Sequence, residues 1–68
     1  MAIVSPEVKL WLQTNVKQLV KETADKEDAL EYVEDLTREC LEACDLSVDH
    51  EKPVSDEIKE QLDSLTWT

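Results

Sequence analysis

The chain has 68 residues, of which 17 are acidic and 7 basic, and its formal net charge at pH 7 is −10. It contains no glycine, which argues against the nucleotide-binding loops and nucleophile elbows that place glycine where φ must be positive or where a ligand approaches the backbone. The acidic charge argues against direct binding to nucleic acid or to an anionic membrane, because both require a cationic surface. We therefore expect the partner to be a protein with a basic surface.

Length and composition also limit how the chain can be organised. With 68 residues, folding buries only about 60% of the surface that an extended chain exposes, so we expect one small acidic domain over residues 1–68 without a deep substrate cavity. The apolar run from Met1 to Val4 is too short for a signal peptide, and no stretch reaches membrane-spanning length. Two cysteines are too few for a disulfide-built secreted scaffold. These features predict a cytoplasmic protein with no membrane contact.

The first predicted helix spans residues 5–22. Ser5 can accept a hydrogen bond from an N–H group of the first turn, and Pro6 and Glu7 suit the first helical positions. Apolar residues then recur every three or four positions and predict one buried stripe: Val8, Trp11, Leu12, Val16, Leu19 and Val20. Leu10 falls on the opposite side, where a single exposed leucine needs no functional explanation.

The second predicted helix spans residues 25–44. Asp25 can cap it, and Asp28 stands three residues later in the reciprocal position. The connection from the first helix is short enough to predict an antiparallel hairpin. Small and apolar residues share one broad face of this helix: Ala29, Tyr32, Val33, Leu36, Cys40, Ala43 and Cys44, extended by Leu30, Thr37 and Leu41. We expect so wide a face to contact two neighbouring helices.

A third, shorter helix is predicted over residues 55–65. Residues 45–54 indicate a loop, because Pro53 disfavours helix in the residue before it, and Ser55 can cap the helix that follows. The apolar stripe that fits across the hairpin consists of Ile58, Leu62 and Leu65.

Together these patterns predict an all-α fold, a small three-helix bundle. An antiparallel hairpin of residues 5–22 and 25–44 is crossed by the short helix of residues 55–65. We expect the tail either to bury Trp67 or to leave its indole available to a partner. The predicted core consists of Val8, Trp11, Leu12, Val16, Leu19, Val33, Leu36, Cys40, Ile58 and Leu62.

The outer side of the second helix carries the main functional feature of the sequence. Residues 23–68 hold fifteen acidic and four basic residues, a charge of −11, whereas residues 1–22 carry +1. Carboxylates three or four positions apart on a helix stand about 5–6 Å from each other, and such like-charge rows reduce helix stability. A charged face can also serve solubility alone. The residues that we predict to bind the partner are Glu27, Glu31, Glu34, Asp35, Glu42 and Asp45.

Cys40, Cys44 and His50 form a candidate metal or redox site, with Asp45 and Asp49 between them. Their spacing matches no zinc pattern, and both cysteines lie on the apolar face, where free cysteine behaves as a small buried hydrophobe. A disulfide between residues one helical turn apart requires distortion. We therefore expect neither a metal nor another cofactor.

Residues 45–51 alternate oxygen-bearing side chains, as the first half of an EF-hand calcium loop does. The resemblance fails at the sixth position, where His50 replaces the glycine of that loop, and at the twelfth, where Asp56 replaces glutamate. We interpret this segment as a solvated acidic turn whose side chains bond to their own backbone.

Catalysis is not expected from this sequence. His50 is the only histidine, and no serine or cysteine nucleophile stands at a motif spacing from it. The carboxylates cluster on an exposed face, whereas a carboxyl group that acts as a general acid needs burial.

These observations predict a small acidic binding module that modulates or inhibits a larger protein with a basic surface. One alternative is a duplex-mimicking inhibitor of a nucleic-acid enzyme, of the kind that some phages encode, because the helical carboxylates repeat at a spacing comparable to that of DNA phosphates. A second alternative is an assembly subunit or a homodimer that uses apolar contacts, since 41% of the residues are hydrophobic and a small domain buries only a small core.

Overall fold

Most of the chain that the structure describes is helical. The computed structural model describes residues 4–23 and 25–65, so the predictions for Trp67 lie outside the described residues. Within these residues there is no strand, and the helices are α1 (Pro6–Glu22), α2 (Lys26–Glu31), α3 (Val33–Ala43) and α4 (Glu51–Ser64), with a 3-10 turn at Val48–His50. The predicted all-α class is confirmed, but the described residues form four α-helices and not three.

Helix α1 begins and ends where the sequence predicts. Ser5 Oγ accepts a hydrogen bond from the Val8 N–H group at 3.3 Å, and Pro6 stands in the first turn. At the other end, the Thr23 hydroxyl and N–H groups both donate to the Leu19 carbonyl, at 2.9 and 3.0 Å. These bonds give partners to backbone groups that a helix terminus leaves unpaired.

The predicted second helix is divided at Tyr32, so the prediction of one continuous helix over residues 25–44 is wrong. Asp25 caps α2 as predicted and accepts a hydrogen bond from the Asp28 N–H group at 2.9 Å. The Tyr32 N–H group, however, donates to the Ala29 carbonyl three residues back at 3.1 Å, and the Tyr32 ψ of 2° departs from α-helical geometry. Helix α2 contacts α1 and α4 as well as α3.

The last helix begins at Glu51, four residues before the predicted start at Ser55. Pro53 is the third residue of α4 and belongs to the first turn, whose N–H groups have no partner within the helix, so proline is tolerated there. The earlier start places Val54 inside the core with an exposed fraction of 0%. The connection between α3 and α4 is therefore shorter than the predicted loop of residues 45–54.

The core is built where α4 packs against the other helices. Helix α4 makes its most extensive contacts with α3 and also packs on α1 and α2. Trp11 and Leu19 belong to the predicted core but are only partly buried, whereas Thr37 is buried and its hydroxyl donates to the Val33 carbonyl at 2.7 Å. The buried apolar residues are Val8, Leu12, Val16, Ala29, Val33, Leu36, Cys40, Val54, Ile58 and Leu62.

Candidate functional site

The six carboxylates that the sequence predicts to bind a partner are all exposed. They follow the outer side of α2 and α3 and continue just past the end of α3. We call these six residues the acidic ridge: Glu27, Glu31, Glu34, Asp35, Glu42 and Asp45. The break at Tyr32 separates the first two from the others.

The carboxylates of α3 face two different neighbouring helices. Glu34 lines a groove between α3 and α4, whereas Asp35 and the adjacent Glu39 line a groove between α1 and α3. Glu42 lines neither of these grooves. The acidic ridge therefore stands between two grooves, and a partner docked along it can reach into either.

The acidic ridge has little local charge compensation. Among the described residues the only ion pair joins Lys26 of α2 to Asp63 of α4. These side chains are 41% and 64% exposed, so the pair contributes less than about 1 kcal/mol to stability. The only cation on α3 is Arg38, one turn from both Glu34 and Glu42. The remaining carboxylates give this side of the molecule a negative potential, which attracts a basic surface.

Asp45 occupies a position that is unfavourable for its backbone and for its charge. Its φ of 53° lies in the left-handed region, where glycine is the usual residue after a helix. The Leu46 N–H group donates to the Leu41 carbonyl at 2.8 Å and the Asp45 N–H group to the Glu42 carbonyl at 3.3 Å, which is the Schellman pattern. A carboxylate at a helix C-terminus also opposes the helix dipole.

Replacing Asp45 by glycine should therefore stabilise the protein by about 1 kcal/mol, because the change removes both costs. A gain of this size raises the Tm of a small domain by about 4–8 °C, which thermal unfolding followed by circular dichroism can measure. Asp45→Asn is the matched control, since it removes the charge alone and should give a smaller gain. A lower Tm for Asp45→Gly would show instead that the carboxylate makes a stabilising contact.

The groove between α3 and α4 has a volume of about 450 Å³ and a mixed charge. Cations and anions both line it, so neither an acidic nor a basic ligand is favoured by charge alone. The charged side chains are Arg38, Lys52, Lys59, Glu34, Asp49, Glu51 and Asp56.

The groove between α1 and α3, which we call the α1–α3 groove, has a volume of about 290 Å³ and no basic lining residue. Leu19, Tyr32 and Leu36 provide its apolar surface. Its polar lining residues are Asn15, Gln18, Glu22, Asp35 and Glu39. The side-chain amide of Gln18 donates to a carboxylate oxygen of Glu22 at 3.2 Å, which orients that carboxylate.

The helical periodicity of the sequence does not predict the α1–α3 groove. That periodicity places Tyr32 on the broad apolar face of the second helix, and the predicted partner-binding residues do not include Glu39. In the structure, Tyr32 is 48% exposed. One feature of the sequence does indicate this groove. Asp35 and Glu39 stand one helical turn apart beside Leu36, which puts two carboxylates next to an apolar residue.

The candidate metal and redox residues do not come together in one site. Cys40 and Cys44 are free, and Cys40 is buried with an exposed fraction of 0%. Burial, together with the neighbouring Cys44 thiol and its hydrogen bond, raises the pKa of Cys40 from 9.0 to about 12, so this thiol stays protonated at neutral pH and is a poor metal ligand and nucleophile. His50 Nδ1 lies 3.3 Å from Ser47 Oγ. Within residues 4–23 and 25–65, no group of three or more histidine, cysteine or acidic side chains is arranged to hold a metal ion.

The acidic segment after α3 does not form an extended ligand loop. Asp45 belongs to the helix C-terminal motif, Val48–His50 forms a 3-10 turn, and α4 follows at once from Glu51. A calcium loop of the EF-hand type needs twelve consecutive loop residues with a sharp turn at the sixth. The segment is therefore the C-terminal motif of α3 followed by a short 3-10 turn.

Comparisons with known proteins provide no functional assignment, so a function has to be inferred from the fold and the charge pattern. No protein-family model matches the chain, and neither a curated protein nor a solved structure shows a significant similarity to it. Across the described part of the chain, no helix combines the length and the apolar character that crossing a bilayer requires.

Proposed function

We propose that this chain is a small acidic protein-binding module of the cytoplasm that modulates or inhibits a larger protein with a basic surface. The acidic ridge is the contact surface in this proposal. The observation that supports it most directly is that all six ridge carboxylates are exposed and that none forms an ion pair with another described residue. Complementary charge of this kind accelerates encounter with a partner and selects among partners.

The energetic cost of the acidic ridge supports the same proposal. Like charges repeat along α2 and α3, and Asp45 keeps a left-handed φ of 53° at a helix terminus that disfavours its charge. Sequences that depart from local preferences in this way commonly do so at functional sites. Solubility alone would not require a carboxylate at the strained position.

The proposed scaffold for the acidic ridge is a single domain over residues 1–68. In it, α1 and the α2–α3 segment form an antiparallel hairpin, and α4 lies across both. The contacts of α4 with every other helix and the single cluster of buried apolar residues support this arrangement. The free thiols of Cys40 and Cys44 are compatible with the reducing cytoplasm.

Charge reversal on the acidic ridge tests the proposed function. Partners are first captured from a lysate of the source organism at low salt and identified by mass spectrometry, and their binding is then measured by surface plasmon resonance. Replacing Glu31, Glu34 and Glu42 with lysine should slow association about tenfold or more and reduce its salt dependence, because steering charges act mainly on the association rate.

A matched triple variant controls for net charge. Replacing Glu7, Glu57 and Glu60 of α1 and α4 with lysine also changes the formal charge from −10 to −4, and none of these three residues lines either groove beside the ridge. This control should slow association much less than the ridge variant does. Equal effects of the two triples, or no effect of either, would contradict the ridge as the contact surface. A partner retained through high salt would favour an assembly subunit with apolar contacts.

A further inference from the structure

We infer that the α1–α3 groove binds an arginine side chain from a basic segment of the partner protein. This inference rests on the proposed function and adds the chemistry of one anchoring contact. It is supported by three features of the groove: its aromatic and apolar surface, its carboxylates and its volume.

The apolar part of the groove suits the stem and the planar head of arginine. Tyr32 is 48% exposed and lines the groove at the break between α2 and α3. A guanidinium group stacks on an aromatic face better than a lysine ammonium does. Leu19 and Leu36 line the same groove and offer apolar surface to the methylene groups of the arginine stem.

The carboxylates of the groove supply the opposite charge. Glu22, Asp35 and Glu39 line it, and no basic residue does. Asp35 and Glu39 are one turn apart on α3, which places their Cβ atoms about 5–6 Å from each other. A guanidinium presents several N–H donors in a planar fork and can engage carboxylates on more than one edge. The groove between α3 and α4 lacks this preference, because Arg38, Lys52 and Lys59 already line it.

The groove is large enough to hold one side chain. About 290 Å³ lies just below the range of roughly 300–1,000 Å³ for pockets that enclose a drug-sized molecule. The groove is also continuous with the acidic ridge through Asp35, so further basic residues of the same partner segment would meet the ridge.

Peptide titration followed by ¹⁵N–¹H NMR tests the inference. The probe is a short soluble arginine-rich peptide, and the comparison is the same peptide with every arginine replaced by lysine. The arginine peptide should bind several-fold more tightly and should shift the amide signals of Gln18, Tyr32 and Leu36 most. Tyr32→Leu, which keeps an apolar side chain, should remove the preference for arginine, because the stacking surface is lost.

Two double variants with the same net charge separate the groove from the overall charge of the protein. Asp35→Asn with Glu39→Gln changes two groove carboxylates, and Glu7→Gln with Glu60→Gln changes two exposed carboxylates of α1 and α4 that lie outside both the groove and the acidic ridge. Each pair changes the formal charge from −10 to −8. The groove variant should bind the arginine peptide about fivefold more weakly, and the second variant should lose less than about twofold.

Three results would overturn the groove assignment: no binding of the arginine peptide, equally tight binding of the lysine peptide, or equal weakening by both double variants. Equal weakening would mean that the peptide senses only the total charge of the protein. The proposed function fails on a different measurement, since it requires that charge reversal of the acidic ridge slow association with the captured partner. The two failures are therefore distinguishable.

Discussion

Replacing Leu12 by alanine should remove most of the conformational stability of the protein. Leu12 belongs to α1, its exposed fraction is 0%, and it lies within the cluster of buried residues. Removing so much buried apolar volume from a core costs about 2–5 kcal/mol, whereas a single core in a domain of this size rarely supplies more than about 3–5 kcal/mol. Urea denaturation followed by far-ultraviolet circular dichroism measures the change in the free energy of unfolding.

Leu10 provides a control on the same helix with the same substitution. It is 65% exposed, so Leu10→Ala should change the free energy of unfolding by less than about 0.5 kcal/mol. Comparable losses for the two variants would mean that α1 presents a different face to the core. The comparison therefore tests the helix orientation that also places Asn15, Gln18 and Leu19 beside α3.

Local chemistry explains which parts of the fold the sequence predicts well. The start of α1 depends on Ser5 and Pro6, and the start of α2 depends on Asp25, whose side chain accepts the expected hydrogen bond. The break at Tyr32 has no such marker, since neither glycine nor proline is nearby. It accompanies contacts of α2 with α1 and α4, which depend on tertiary packing and not on local preference.

The misplaced start of α4 has a different origin. The rule that a residue before proline avoids helical geometry predicts a loop through residue 54. Lys52 is nevertheless helical, because Pro53 falls in the first turn, where proline is compatible with a helix. The position of Pro53 in the first turn therefore overrides the general preference, and Val54 lies in the core and not in a loop.

The candidate site shows the same division between local and tertiary information. Helical periodicity alone predicts that the ridge carboxylates are exposed, and they are. The grooves beside Glu34 and Asp35 depend on how α3 sits against α4 and α1. The spacing of residues along one helix does not indicate how that helix is oriented against its neighbours. The exposure of Tyr32 and the grooves on both sides of the ridge could therefore be identified only from the structure.

The stability of the protein should also fall as the pH rises above about 9, and Cys40 is the cause. The pKa of Cys40 is raised from 9.0 to about 12 in the folded protein. Above pH 9 the unfolded state therefore loses this proton while the folded state keeps it, so deprotonation favours unfolding. The stabilising contribution is complete below pH 9 and is lost progressively between pH 9 and pH 12.

The expected loss is about 1 kcal/mol for each pH unit within that window, and urea denaturation at pH 7 and pH 10 measures it. The comparison variant is Cys40→Ala, which leaves every other ionisable group in place and removes the buried thiol. Cys40→Ala should be less stable than the wild type at pH 7, because it leaves a small cavity, but should lose less stability between the two pH values. Equal losses in both proteins would show that the Cys40 thiol does not control the alkaline transition. A smaller loss in the variant would show that the raised pKa of the buried Cys40 thiol contributes to the alkaline loss of stability.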